Sequence, residues 1–181
     1  MDFGCNTGYF PVSASVAGVQ TTMGVDLGDY SQHVRLLNDI AGASTRFSVG
    51  AYDPSSHTIS LTNDFGIEKY DVVSTSAVMC HLPDPLHFLK ALARLASKAI
   101  FIWDSFVDSH ELLIRYHPPN IFSDAEFPNG FDSCTSISLG MLKLSMEKLG
   151  FTHHEELEID PAWMPEHWLR SSGHHAFLFW R

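Results

Sequence analysis

Short β-rich runs alternate with amphipathic helical runs along the middle of this chain, and that alternation confines it to an α/β fold built on a mostly parallel sheet. Residues 22–26 read as a buried strand that ends at a carboxylate, Asp26. Val34, Leu37 and Ile40 then recur at a spacing of three, which predicts a helix with one apolar face. Strands are expected over 45–49, weakly over 58–62, and strongly over 70–76. Asp84-Pro85 places an acid at an N-cap and a proline at the first helical position, where a missing N–H costs nothing. Phe88, Leu89, Leu92 and Leu95 give that helix its core face, and a strand over 99–103 follows, with Asp104 just past its carboxyl end. Leu139, Leu142, Met146 and Leu149 mark a last helix stopped by Gly150. Two closing runs, 151–159 and 175–180, are expected to pair as an antiparallel hairpin.

At 181 residues the chain is one domain's worth, long enough to bury a core without metal or disulfide staples. Its net charge of -10 is the wrong sign for gripping nucleic acid or an anionic membrane unaided. No apolar run is long enough to span a bilayer, since the best candidate, 91–103, is cut by Arg94 and Lys98. The N-terminus lacks the basic-then-apolar layout of a secretion signal, and three scattered cysteines do not make a disulfide framework. These features point to a cytoplasmic protein. His153-His154 and His174-His175 would approach one another in a closing hairpin, but neighbours on a strand face opposite sides, so no metal site is expected.

The segment Asp2-Phe3-Gly4-Cys5-Asn6-Thr7-Gly8 is a glycine loop led by an acid, before an expected helix over 9–19 with Pro11 in its first turn. Such a loop lets backbone approach a ligand and aims helix N–H groups at the carboxyl edge of the sheet, where open parallel sheets bind ligands. Taken alone, it is also what a tight strand-to-helix turn requires.

This loop resembles motif I of the class I S-adenosylmethionine-dependent methyltransferases, Asp-x-Gly-x-Gly-x-Gly, with Asn6 at the middle glycine. The rest of the chain follows that family's order. Asp26 matches the acid that grips the ribose hydroxyls, and Leu27 follows it. Gly50-Ala51-Tyr52-Asp53 stands where the family often places an acid against the adenine, with Ala51 in the usual acidic slot and Asp53 a substitute. The stretch from Tyr70 through Ser76, Ala77 and His81 to Asp84-Pro85 resembles the fourth-strand motif of small-molecule and tRNA-modifying members with His-Leu-Pro-Asp-Pro. The resemblance implies a Rossmann-like sandwich over residues 1–181, S-adenosyl-L-methionine as cofactor, and methyl transfer to an oxygen, nitrogen or carbon of a small-molecule acceptor. Implied cofactor residues are Asp2, Gly4, Cys5, Asn6, Thr7, Gly8, Asp26, Leu27, Tyr52, Asp53, Ser76 and Ala77. His81, at the mouth of the crevice, is the candidate general base, and Asp104 the second candidate to face the acceptor.

One departure stands out. The family has a buried strand before motif I, whereas only Met1 precedes Asp2. Asp2-Phe3 is therefore expected as the stub of a central strand, with a partner segment or second chain supplying the remainder. The proline-punctuated stretch 104–133, with Phe106, Tyr116, Phe122, Phe127 and Phe131, is expected to roof the acceptor site together with Trp163 and Trp168. Two rivals stay open: a degenerate cofactor-binding relative without activity, and an NAD-dependent oxidoreductase. The second needs G-x-G-x-x-G, which Gly4-x-x-x-Gly8 does not supply.

Overall fold

A computed structural model describes residues 1–62, 69–116, 135–160 and 173–181. The chain runs β1 (Asp2–Phe3), α1 (Tyr9–Val16), β2 (Met23–Asp26), α2 (Ser31–Ala41), β3 (Arg46–Asp53), β4 (Thr58–Leu61) and β5 (Tyr70–Ser76). A 3-10 turn, Met79–His81, leads to α3 (Pro85–Leu95), β6 (Ala96–Ser105), β7 (Ile114–Tyr116), β8 (Thr135–Ile137), α4 (Leu139–Lys148), β9 (His153–Leu157) and β10 (His174–Trp180). The main sheet has eight strands in the order β4-β3-β2-β1-β5-β6-β10-β9. β3, β2, β1, β5 and β6 run parallel, while β4, β10 and β9 join antiparallel. This is the Rossmann-like methyltransferase sandwich with its closing hairpin.

Strand alternation sorts the helices onto two faces. Phe3 and Val25 are register partners on one face, and the Phe3 ring packs 5.3 Å from that of Phe88 on α3. Their neighbours Asp2 and Gly24 face the other way, where Gly24 sits under Pro11 of α1. α1 packs with α2, and α3 with α4. Phe88, Leu89 and Leu92 on α3 are fully buried, each worth about 1.5–3 kcal/mol of hydrophobic stabilisation. Asp84 caps α3 as expected, its Oδ1 accepting from His87 N at 3.4 Å.

Several boundaries differ from the sequence reading for identifiable reasons. α1 stops at Val16, not at residue 19, because Gly18 turns left-handed and Val19 N donates back to Ala14 O at 3.0 Å, closing the helix. On α2, Val34 is buried but Ile40 is 73% exposed. Six residues of a 3.6-residue helix turn through 600°, 240° beyond one full turn, which carries Ile40 off the core face. β3 continues to Asp53 because β4 pairs with it to its end, Asp53 opposite Thr58. In the closing hairpin, His153 and His154 lie opposite Trp180 and Phe179, while His174 and His175 lie opposite Ser105 and Asp104. Antiparallel pairing thus puts the two histidine pairs at opposite ends.

β1 has two residues, Asp2–Phe3, and lies between β2 and β5. Below it, Met1, Met23, Val72 and Ser74 line a cleft of about 600 Å³ between the starts of β2 and β5. Of the expected roof, Phe106 is buried in the core beside Phe177 and Tyr116 is exposed, while Phe122, Phe127, Phe131, Trp163 and Trp168 lie outside the described residues. No described helix is long and apolar enough to cross a membrane.

Candidate functional site

The site starts where β1 ends. Gly4 N and Cys5 N both donate to Val25 O, at 2.8 and 3.1 Å, so the chain leaves the sheet still tied to β2. Gly4, Asn6 and Gly8 then take φ of 78°, 48° and 93°. The first and last suit glycine, and Asn6 is the non-glycine type that tolerates this region best. A Cβ on Gly4 would collide with Val78, and one on Gly8 would sit 2.6 Å from Val34 Cγ2, so loop and neighbours are fitted to bare backbone. α1 begins immediately after with no side-chain cap, leaving its positive end toward the sheet edge.

Asp26 fixes the loop from the side. Its Oδ2 accepts from Asn6 N at 2.7 Å and its Oδ1 from Gly28 N at 3.1 Å. A carboxylate has about four acceptor positions, so each oxygen keeps room for a further donor. Beneath the loop, Asp2 is 3% exposed; its Oδ1 accepts from Ser74 Oγ at 2.7 Å and its Oδ2 has no partner among the described residues. Burial pushes this carboxyl up to about 6, against the Ser74 bond and the nearby Met1 ammonium, with the Asp26 charge adding to the rise. Burial also pushes the Cys5 thiol well up, which leaves it a small apolar filler rather than a nucleophile.

The far wall comes from the end of β5. Ala77 holds a left-handed φ of 52°, with its N donating to Trp103 O at 2.8 Å. That strained residue turns the chain into the 3-10 segment carrying His81. Asp104 is 3% exposed behind this segment, its Oδ2 accepting from Met79 N and its Oδ1 from Ser105 N, both at 2.8 Å. Burial raises its pKa, opposed by those two amides, the Cys80 side chain and the charge of His81.

These parts enclose a cleft of about 630 Å³ at the carboxyl edge of the parallel strands. Gly4, Cys5, Asn6 and Thr7 form one side, Asp26, Leu27 and Tyr52 another, and Ser76, Ala77 and His81 a third. Four candidates do not line it. Asp2 lies under the loop, Gly8 closes it as the N-cap of α1, and Asp104 stands behind the 3-10 turn rather than facing an acceptor. Asp53 is committed to the β3–β4 turn, accepting from Ser55 N and from the Ser55 and Ser56 hydroxyls at 2.7–2.8 Å, which holds its carboxyl down at about 2.

Sequence reasoning missed Tyr9, Phe10 and Tyr30, which also line the cleft, and the apolar pair Val78 and Leu82. Tyr9 was legible in principle as the first residue after the loop. Tyr30 carried no signal: it is drawn in by the turn after Asp26, where it stands at the N-cap of α2. The cleft thus offers backbone amides and a carboxylate along one edge, aromatic and apolar walls, and one imidazole at its mouth.

A methyltransferase-domain family model matches residues 1–156. Among solved structures, the chain is similar to the N-terminal domain of EvdMO1, crystallised with SAH bound, at 15% identity and a TM-score of 0.66 over 99% of this chain and 71% of that one. It is similar to magnesium protoporphyrin IX methyltransferase (ChlM) from Synechocystis PCC 6803, with bound SAH, at 13% identity and a TM-score of 0.62 over 99% and 72%. YcgJ from Bacillus subtilis matches at 14% identity and a TM-score of 0.60 over 99% and 90%. No curated protein matches the chain. At these identities the structural likeness speaks to the fold.

Proposed function

The chain belongs to the methyltransferase-domain family, and from that premise we propose that residues 1–181 act as one S-adenosyl-L-methionine-dependent methyltransferase unit on a small-molecule acceptor. The observation that carries this reading is the Asp26 carboxylate bonded to Asn6 N across the mouth of the glycine loop, in a cleft with an imidazole on its other wall. Its residues fit the cofactor: bare backbone at Gly4 for close approach, spare lone pairs on Asp26 for the two ribose hydroxyls, and apolar surface from Leu27 and Tyr52 for a flat base.

Held by the glycine loop and Asp26, the cofactor would supply an electrophilic methyl group for transfer to the acceptor's nucleophilic atom. The protein's share is alignment and exclusion of water. His81 is proposed to take the proton an oxygen or nitrogen acceptor loses. Asp104 holds the turn that carries His81 and is a positioning residue. The net charge of -10 supports a small acceptor over a phosphodiester polymer, because an acidic surface repels it. The cleft below β1 is proposed to take a strand from a partner segment or second chain, paired with β2 and β5.

Calorimetric titration with S-adenosylhomocysteine, and separately with NAD, tests the assignment. Binding of the first and not the second is expected. NAD binding alone would make the protein a dehydrogenase, and binding of neither would make it a degenerate relative.

A further inference from the structure

The β3–β4 hairpin forms one edge of the main sheet, because β4 pairs with β3 alone. Its turn, residues 54–57, stands at the carboxyl edge, where the parallel strands open onto the cleft. Tyr52, next to last in β3, lines that cleft. Its ring is held at two points. The ring meets Phe88 of α3 edge-on, with centroids 5.4 Å apart and planes at 72°, and the hydroxyl stands 3.3 Å from His57 Nδ1.

His57 is itself held from α3. Its imidazole lies face to face with that of His87, with centroids 3.8 Å apart and planes 11° from parallel. His87 Nδ1 is 2.7 Å from Oδ2 of Asp84, the residue that caps the helix. A chain of contacts thus runs from the cleft wall through Tyr52, His57 and His87 to the start of α3. On the hairpin side, Asp53 ties the turn through Ser55 and Ser56.

We infer that His57 is a positioning residue for the cofactor: it latches the hairpin turn to α3 and so fixes the Tyr52 ring in the wall assigned above to the flat base. This rests on the cofactor reading of the cleft. Three observations carry it. His57 holds a left-handed φ of 54°, a conformation that turns ordinarily give to glycine or asparagine. A β-carbon-bearing ring kept there against strain is a side chain being aimed. The edge-on contact with Phe88 fixes one side of the Tyr52 ring but leaves its tip free to swing, and the hydroxyl contact is what pins the tip. A hydroxyl can donate or accept, so that contact forms with either tautomer of the neutral ring. The flat stack on His87 requires a planar side chain at position 57, which asparagine or glycine would not supply.

The test is a double-mutant cycle on the whole chain: parent, His57→Asn, Tyr52→Phe and the pair together. Asparagine tolerates the left-handed backbone, so the first substitution removes the ring without adding strain. In calorimetry with S-adenosylhomocysteine, each single variant should bind about two- to tenfold more weakly, the scale of one hydrogen bond. The double variant should lose no more than the worse single one, because both act through the same contact. A residue that merely supports the fold would give additive losses. Urea midpoints of the ligand-free proteins should show the same non-additivity, which tests the latch without cofactor. Ser60→Ala, exposed on the same hairpin, should change neither measurement. Unchanged affinity in His57→Asn, or additive losses in the pair, overturns the proposal. A parent protein that does not bind S-adenosylhomocysteine overturns the cofactor reading instead, and the urea midpoints then decide the latch: non-additive sustains it, additive overturns it.

Discussion

The carboxylate of Asp26, at the end of β2, accepts from the backbone N–H of Asn6 at 2.7 Å, tying the loop after one strand to the end of the next. The same group therefore shapes the loop and lines the cleft. Asp26→Ala should weaken S-adenosylhomocysteine binding by about 1.5–3 kcal/mol, the scale of charge-assisted hydrogen bonds. It should also lower the stability of the ligand-free protein, since Asn6 N and Gly28 N lose their acceptor. Calorimetry and thermal unfolding read the two effects separately, and unchanged affinity would remove Asp26 from the site.

Gly4 meets two constraints at once, a φ of 78° and the flank of Val78. Gly4→Ala should destabilise the fold by about 1–3 kcal/mol through backbone strain, with the collision adding to it. Adding Val78→Ala should recover the collision's share and leave the backbone share. A double variant no more stable than the single one would mean that the clash relaxes elsewhere.

Asp2 gives a pH signature. Its folded pKa of about 6 lies above its ordinary 3.8, so between these values the folded state holds more protons than the unfolded one. Stability from this group is therefore full below pH 4, falls as pH rises through 6, and is flat above, a change on the order of 2–3 kcal/mol. Asp2→Asn should remove that slope, so its stability relative to the parent should climb between pH 4 and 6. Urea unfolding of both proteins across that range is the check, and parallel profiles would place the Asp2 carboxyl in solvent.

Much of this was legible because local signals and tertiary demands agree. Tyr70–Ser76 is β-rich and alternates in burial from Val72 onward, Asp84-Pro85 writes a helix start, and the glycines of the loop are required by left-handed backbone. The failures occur where a third element intervenes. Asp53 sits at the right place in sequence for an adenine contact, but three donors from its own turn claim it. Asp104 lies at a strand's carboxyl end, as a ligand-facing acid would, yet the 3-10 turn after β5 folds over it. Tyr30, and the meeting of His57 with His87, depend on how a hairpin and a helix dock, which no window of sequence contains.

Asp104 and His81 make the sharpest division of roles. Asp104 touches no part of the cleft; it holds Met79 N and Ser105 N, and through Met79 the turn on which His81 stands. Asp104→Ala would orphan two amides in the interior and should cost about 3–4 kcal/mol of stability. Asp104→Asn keeps one acceptor and turns an amino group against the other donor, so it should cost about half as much and lower kcat with little change in cofactor affinity. Its pH–rate profile should keep the parent's shape, because His81, the proposed proton acceptor, is still present. His81→Gln should behave oppositely: near-parental stability, kcat down by about 10²–10⁴ for an acceptor that must lose a proton, and the acidic limb of the profile gone. If Asp104→Asn abolishes the acidic limb while His81→Gln preserves it, the roles are reversed and the buried carboxyl carries the proton.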